Sequence, residues 1–249
     1  MVEAGEWPAV SDRPEVAGLL TRLGSCFCAQ AAECPYGLDR VAVYHQASFA
    51  ALPVAVFDGF LAAGLRRNGN VLYSMHCPDC QACVPIRLET ASFRPSANMR
   101  RVRRRNQDLT IGIGPLEITR EKLDLCDRFL AERHPGRTAS AMDYYAGFFI
   151  NSLGVSLEIS FRHGERLLGV SIVDCTPWSV SAVYFYFDPD CGDRSLGTFN
   201  ILHLAEFAKL RGMAHVYLGY WIQEVAAMRY KARFRPHFLL RDGAWQKVD

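Results

Sequence analysis

Apolar residues recur along the chain with two periods, near 3.6 and near 2, and the switches between them lay out the elements. Over 54–65, Phe57, Phe60, Leu61 and Leu65 fall at helical spacing just after Pro53, which predicts a helix. Asn68-Gly69 signals a turn before a short strand at Val71-Leu72-Tyr73, and a second strand is expected at 84–88 beyond a cysteine-rich connection. After Pro115 the pattern is helical around 121–133 and 142–152, then alternating at 155–162 and 166–174, with Gly164 as the hairpin turn. The stretch 179–187 alternates, so Val180, Ala182, Tyr184 and Tyr186 are expected on one face and Val183, Phe185 and Phe187 on the other. Ser195 is expected to cap a helix that carries Ile201, Leu204, Ala205 and Ala208 on one side and stops at Gly212. A strand at 216–221 and a short helix over 223–234 follow.

An antiparallel meander followed by strand, helix, strand and helix is the order found in acyltransferases that handle activated acyl groups. The expectation is therefore α+β: a small cysteine-containing N-terminal region at 1–112, then an acyl-CoA N-acyltransferase-like mixed-sheet domain at 113–249. Fold order by itself fixes no chemistry.

Composition narrows the field. With 249 residues, 50% hydrophobic and 22% charged, the chain is neither disordered, collagen-like nor a small disulfide scaffold. No apolar run approaches the ~20 residues of a membrane span, and residues 1–14, with Glu3, Glu6 and Asp12, lack the basic and apolar pattern of a secretory leader. The cytosol is expected. There, nine cysteines act as buried hydrophobes, metal ligands or nucleophiles rather than as a disulfide framework. Cys77, Cys80 and Cys83 follow two x2 spacings, and Cys34 could complete a tetrahedron for zinc; an iron–sulfur cluster and plain reduced structural thiols are the alternatives. Cys26, Cys28, Cys126, Cys175 and Cys191 show no comparable pattern and read as packing residues.

A net charge of +2 conceals local basic patches. Residues 1–110 hold 12 arginines, no lysine and 10 acids, and Arg100, Arg101, Arg103, Arg104 and Arg105 are nearly consecutive. Such a run repels itself unless phosphates neutralise it, and guanidinium forks suit phosphate oxygens. A second run, Arg229, Lys231, Arg233, Arg235 and Arg241, follows Glu224 without an acid until Asp242. Arg194-Ser-Leu-Gly197-Thr-Phe199 stands where CoA enzymes place a pyrophosphate loop, but one glycine and a bulky Phe199 argue against acetyl-CoA. Tyr184, Tyr186, Tyr217, Tyr220, Trp221 and Tyr230 gather around the two central strands; with Asp188 they offer hydroxyls and a carboxylate at one end of the sheet.

Aligned in order, these segments resemble bacterial aminoacyl-tRNA-protein transferases of the aspartate/glutamate leucyltransferase type, relatives of arginyltransferases. The residues that carry the resemblance are Glu33-Cys-Pro-Tyr36 with Asp39-Arg40, Gly64-Leu-Arg66-Arg67-Asn-Gly69, Cys77 through Arg87, and Arg104-Arg105-Asn106-Gln-Asp108-Leu109. Arg133-His134, Ser181-Ala-Val-Tyr184, Phe187-Asp-Pro189, Arg194 to Thr198, Tyr217-Leu-Gly-Tyr220-Trp221-Ile222 and Met228-Arg-Tyr230-Lys231 with Phe234-Arg-Pro236 continue it. Leu65, Asn68, Met75-His76 and Ala97-Asn98-Met99 depart from the family's pattern.

The resemblance implies transfer of leucine from leucyl-tRNA to the α-amine of proteins that begin with Asp or Glu, marking them for degradation, with no cofactor needed for transfer. Its partners would be charged tRNA and those proteins, with neither membrane nor DNA. On that reading Arg100, Arg101, Arg103, Arg104 and Arg105 bind tRNA, with Lys231 and Arg233 as a second contact near the acceptor end. Arg40, Arg66 and Arg67 would take the acceptor carboxylate, Asp188 the amine proton, and Tyr184 or Tyr230 would donate to the departing ribose hydroxyl. Cys34, Cys77, Cys80 and Cys83 would be the metal site. The alternatives are an arginyl donor, a CoA-dependent N-acetyltransferase and a non-catalytic RNA-binding adaptor.

Overall fold

The computed structural model describes residues 14–136 and 138–249. After a helix α1 (Pro14–Gly24), the chain builds a small antiparallel sheet from β1 (Cys28–Glu33), β2 (Val41–Ser48), β3 (Arg66–Asn68) and β4 (Val71–Met75), in the order β1-β2-β4-β3. Helix α2 (Val54–Ala62) connects β2 to β3 and is almost wholly buried, which its apolar sequence requires. It packs with α1 through Val16, Leu20, Phe57, Phe60 and Leu61.

The chain then enters the main sheet at β5 (Val84–Glu89) and leaves it for α3 (Ala97–Arg105), whose N-terminus is capped by Ser96 accepting from the Met99 amide. Strands β7 (Val155–His163), β8 (Arg166–Cys175) and β9 (Ser179–Phe187) form the expected meander, and β6 (Thr110–Pro115), a strand the sequence pattern does not announce, extends it beyond β7 after the intervening α4 (Arg120–Arg133) and α5 (Ala141–Tyr144). Helix α6 (Leu196–Leu210) crosses to β10 (His215–Trp221), and α7 (Ala226–Arg229) precedes the hairpin of β11 (His237–Arg241) and β12 (Ala244–Val248). Among the described residues the main sheet holds eight strands in the order β12-β11-β5-β10-β9-β8-β7-β6, so it draws strands from both sides of residue 112. The α+β class and the mixed sheet agree with expectation; among the described residues its only parallel pair is β9 with β10.

Several boundaries moved. The helix over 142–152 is a short α5 that runs into a π-helical turn, Tyr145–Phe149, and the helix over 223–234 is α7 followed by a 3-10 turn, Tyr230–Arg233. Ser195 does stand at the start of α6, but at φ 53 and with no side-chain cap bond.

The alternation in β9 holds only in part. Tyr184 stands opposite Ile172 but Ala182 opposite Val173, so Val183 is an extra residue in the ladder. Such a bulge shifts the phase of every later side chain. Val180 and Ala182 therefore share a core with Phe185, on the face covered by α3 and α6, while Tyr184 and Tyr186 belong to the core under α4 and α5.

Candidate active site at the fork of two strands

Strands β9 and β10 pair in parallel at His215–Ser179, Val216–Val180 and Tyr217–Ser181, and no pairing continues beyond. The strands part there, leaving backbone groups of both in need of partners. Arg66, at the edge of the small sheet, reaches across to supply them: Nη1 donates to Ser181 Oγ at 2.9 Å and Nη2 to the Ala182 carbonyl. Its guanidinium is buried. On the other side β10 bulges against β5 between Tyr217 and Tyr220, and Gly219 holds φ +83 in the bulge, a conformation that side chains other than glycine's adopt at a cost. A Cβ there would come within 3.5 Å of Arg66 Nε.

Opposite Tyr220 in β5 stands Pro85, which has no N–H to give. The Tyr220 carbonyl instead accepts from Lys231 Nζ at 2.9 Å, and Met228 Sδ lies 3.2 Å from the same amine. Burial, and after it the charge of Arg66, pushes the Lys231 amine down to about 7. Lys231 is therefore in part a free base near neutral pH, beside the guanidinium of Arg66. Tyr73 and Tyr220 close the fork with ring centroids 6.4 Å apart, and burial raises the phenol of each. The Tyr220 hydroxyl and the Trp221 indole N–H are buried without a hydrogen-bond partner among the described residues.

Next to the fork lies a cavity of about 720 Å³, lined in part by Cys77, Cys80, Cys83, Trp221, Glu224 and Arg241. Burial, then the neighbouring Cys77, Cys34 and Cys80, raises the Cys83 thiol to about 12, so it is protonated at neutral pH. The Val43 amide donates to Cys77 Sγ at 3.4 Å, and Arg40 Nη1 to Cys80 Sγ at 3.2 Å. The four thiols are neighbours, yet among the described residues no three His, Cys, Asp or Glu side chains are gathered to hold a metal ion. No step below runs through a metal centre.

Two family models match this chain: the N terminus of arginine-tRNA-protein transferase over 32–101, and its C terminus over 121–241. The chain is 38% identical to an aspartate/glutamate leucyltransferase of Aeromonas hydrophila over 200 residues, 78% of this chain and 82% of that one. It belongs to the aspartate/glutamate leucyltransferase family. A leucyltransferase of Nitrosococcus oceani is 39% identical over 199 residues, covering 79% of this chain and 84% of the relative. Among solved structures, the C-terminal domain of a putative lysylphosphatidylglycerol synthetase from Agrobacterium fabrum superposes with a TM-score of 0.47 at 13% identity, over 88% of this chain and 79% of that one.

In this leucyltransferase-family chain the residues singled out from the sequence fall in separate places. Arg66 and Lys231 meet at the fork. Arg67, next in sequence, points the other way into a buried pair with Asp174, both about 1% exposed, with Nε 2.7 Å from Asp174 Oδ2 and Nη1 donating to the Phe148 carbonyl at 2.7 Å. Arg40 is exposed at the cysteine loop.

Asp188 lies seven residues beyond Ser181, just past the end of β9 and about 23 Å away along the strand direction at ~3.3 Å per residue. Its side chain is fully buried between Arg166, at 2.6 Å, and Arg128, at 3.3 Å, and it accepts from the Asp190 amide. Burial works to raise its carboxyl, but the hydrogen bonds from Arg166 and Arg128 outweigh it and hold the group below its ordinary value. A carboxylate held that way is a poor proton acceptor.

Tyr184 sits among Phe129, Tyr144, Phe148 and Phe149, on the α4 face. Tyr230 packs on the opposite face, near the first turn of α6 at Gly197, with burial raising its phenol to about 12. The three side chains do not converge.

The arginines of α3 all face outward while Met99 and Val102 anchor the helix. Arg103 pairs with Glu206 of α6 at 2.8 Å, Arg105 donates to the Asp193 carbonyl and Arg100 to that of Pro95. Arg101, Arg104 and Arg233 are exposed. Three of the arginines also occupy the last turn of α3, where the helix dipole favours cations.

Proposed function

We propose that this chain transfers leucine from leucyl-tRNA to the N-terminal α-amine of proteins that begin with Asp or Glu, in the cytoplasm, marking them for degradation. The observation that carries this reading onto the chain is the fork where Arg66 and Lys231 meet between β9 and β10; family membership supplies the reaction class.

An aminoacyl ester is already activated, so the site has to position two reactants, remove a proton and meet an oxyanion. The acceptor amine attacks the ester carbonyl; a C–N bond forms and the carbonyl oxygen takes the negative charge. Lys231, brought down to about 7 and so partly neutral near pH 7, receives the amine proton, which its place beside Arg66 then helps it give up. As the C–O bond breaks, that proton goes to the ribose oxygen that leaves. The Arg66 guanidinium, fixed by Ser181 and Ala182, stabilises the oxyanion. Tyr230 is the candidate to pass that proton to the ribose, because it adjoins Lys231 in the chain and its hydroxyl lies near Gly197 at the start of α6.

The outward arginines of α3, together with Arg233, are assigned to tRNA phosphates. α3, α6 and the segment with Tyr230 and Phe234 share one core, so this basic surface and the Lys231 segment are on the same side of the sheet. No helix among the described residues is long and apolar enough to cross a membrane. Transfer of labelled leucine from leucyl-tRNA to a peptide with a free N-terminal Asp, and not to its N-acetylated form, tests the reading.

A further inference from the structure

The 720 Å³ cavity beside the fork falls within the roughly 300–1,000 Å³ of ligand pockets, and the transfer chemistry at Lys231 and Arg66 leaves it unassigned. It opens where the cysteine loop, the end of β10 and the β11–β12 turn come together. Trp221 lines it, next in sequence to the Tyr220 whose carbonyl holds Lys231, so the pocket and the amine are separated by one residue of backbone.

The wall carries charges of both signs. Glu224 and Asp242 are acidic and Arg241 basic. Arg40 rests on Cys80 of the wall and feels the charge of Glu224, as does Cys83. Three ligand ends meet in the proposed reaction, and they differ in charge. The tRNA end is a polyanion, which Glu224 and Asp242 repel. A leucyl side chain is apolar and gains nothing from four ionic groups. An N-terminal Asp or Glu is a zwitterion, with an α-ammonium and a carboxylate a few bonds apart, and it alone uses both signs.

We propose that this cavity is the pocket for the first residue of the acceptor chain, with Glu224 taking the α-ammonium and Arg241 and Arg40 taking the side-chain carboxylate. The inference rests on the transferase reading. Glu224 gathers the amine in the charged form that predominates below its pKa of about 7.7–8.0; its proton is lost at the fork, one residue away.

The test uses the full chain and a decapeptide that begins with Asp, in two measurements. Titration followed by Trp221 fluorescence reads binding without any transfer. It should be saturable for the free peptide, and at least tenfold weaker for the N-acetylated peptide and for one beginning with Asn. Steady-state transfer then separates the two substrates: Glu224→Gln and Arg241→Ala should each raise the peptide KM at least tenfold while the leucyl-tRNA KM stays within twofold. Arg241→Glu should shift preference toward peptides that begin with Lys or Arg. Unchanged peptide KM in both variants, a tRNA KM that rises equally, or fluorescence binding indifferent to acetylation would overturn the pocket. If no peptide is leucylated but fluorescence still shows free-amine-dependent binding, the pocket stands and the transferase reading falls.

Discussion

Lys231 Nζ donates to the backbone carbonyl of Tyr220 at 2.9 Å, where β9 and β10 have separated. The bond keeps an amine inside the protein, and burial together with Arg66 brings it down to about 7. Tyr73, Tyr220 and Cys83 also face this neighbourhood, and burial keeps all three protonated at neutral pH. If Lys231 must be neutral to take the proton and the acceptor amine neutral to attack, two ionisations shape the single-turnover rate. Its logarithm should climb with a slope near 2 below pH ~7 and near 1 up to pH ~8, then level off. Lys231→Met should remove one unit of slope and slow transfer by roughly 100-fold or more.

The same amine makes a stability statement. Its folded value lies below the unfolded value of about 10.4, so the unfolded chain binds more protons across that interval and stability rises with pH between about 7 and 10 on its account. Denaturant midpoints measured at pH 7 and pH 9.5 should differ less in Lys231→Met than in the wild type.

Arg67 and Asp174 supply rigidity. Removing one member of a buried pair leaves the other charged and alone, a loss of about 3–5 kcal/mol. Asp174→Ala should lower the urea midpoint accordingly, whereas the double variant Arg67→Met with Asp174→Leu should recover most of it. Full recovery of stability with normal transfer would show that Arg67 does not touch the acceptor.

The sequence made the meander, the crossing helix and the strand after it legible, because each has a clean period. It hid features that depend on distant partners. Nothing in 179–187 reveals that Val183 is a bulge, since the extra residue shows only against β8. Lys231 reads as one cation in a basic run, because its depressed pKa arises from burial against Tyr220 and Arg66, which lie 11 and 165 residues away. The β11–β12 hairpin carries a local signal: Asp242-Gly243, both at positive φ, is a two-residue turn sequence. Arg66 and Arg67 look alike as neighbours, and strand alternation sends them to opposite sides.

Asp188 joins β9 to α4 through Arg128 and to β8 through Arg166. Because its folded carboxyl is held below the unfolded value, its contribution is present above about pH 4 and is lost as pH falls further. Asp188→Asn should therefore lower Tm at pH 7 but not at pH 2.5, and at saturating substrates it should leave the transfer rate within about threefold of wild type. A fall of 100-fold or more in a folded variant would return the proton-acceptor role to Asp188.

Arg101 and Arg104 project from the outer face of α3. If each neutralises one tRNA phosphate, replacing both with Ala should reduce the slope of log affinity against log salt by about 1.4–1.8, with peptide KM unchanged. An unaltered slope would limit α3 to its role against α6.

On the proposed reading the fork moves leucine from tRNA to an acidic N-terminus. Leucyl-tRNA and arginyl-tRNA, each labelled in the amino acid, supplied separately with peptides beginning with Asp, Glu, Arg or Lys, test it directly. Leucine should appear on the α-amine of the Asp and Glu peptides only, with little or no arginine transferred. Arginine transferred in place of leucine, or leucine moved to Arg and Lys peptides instead, would overturn that function for the fork.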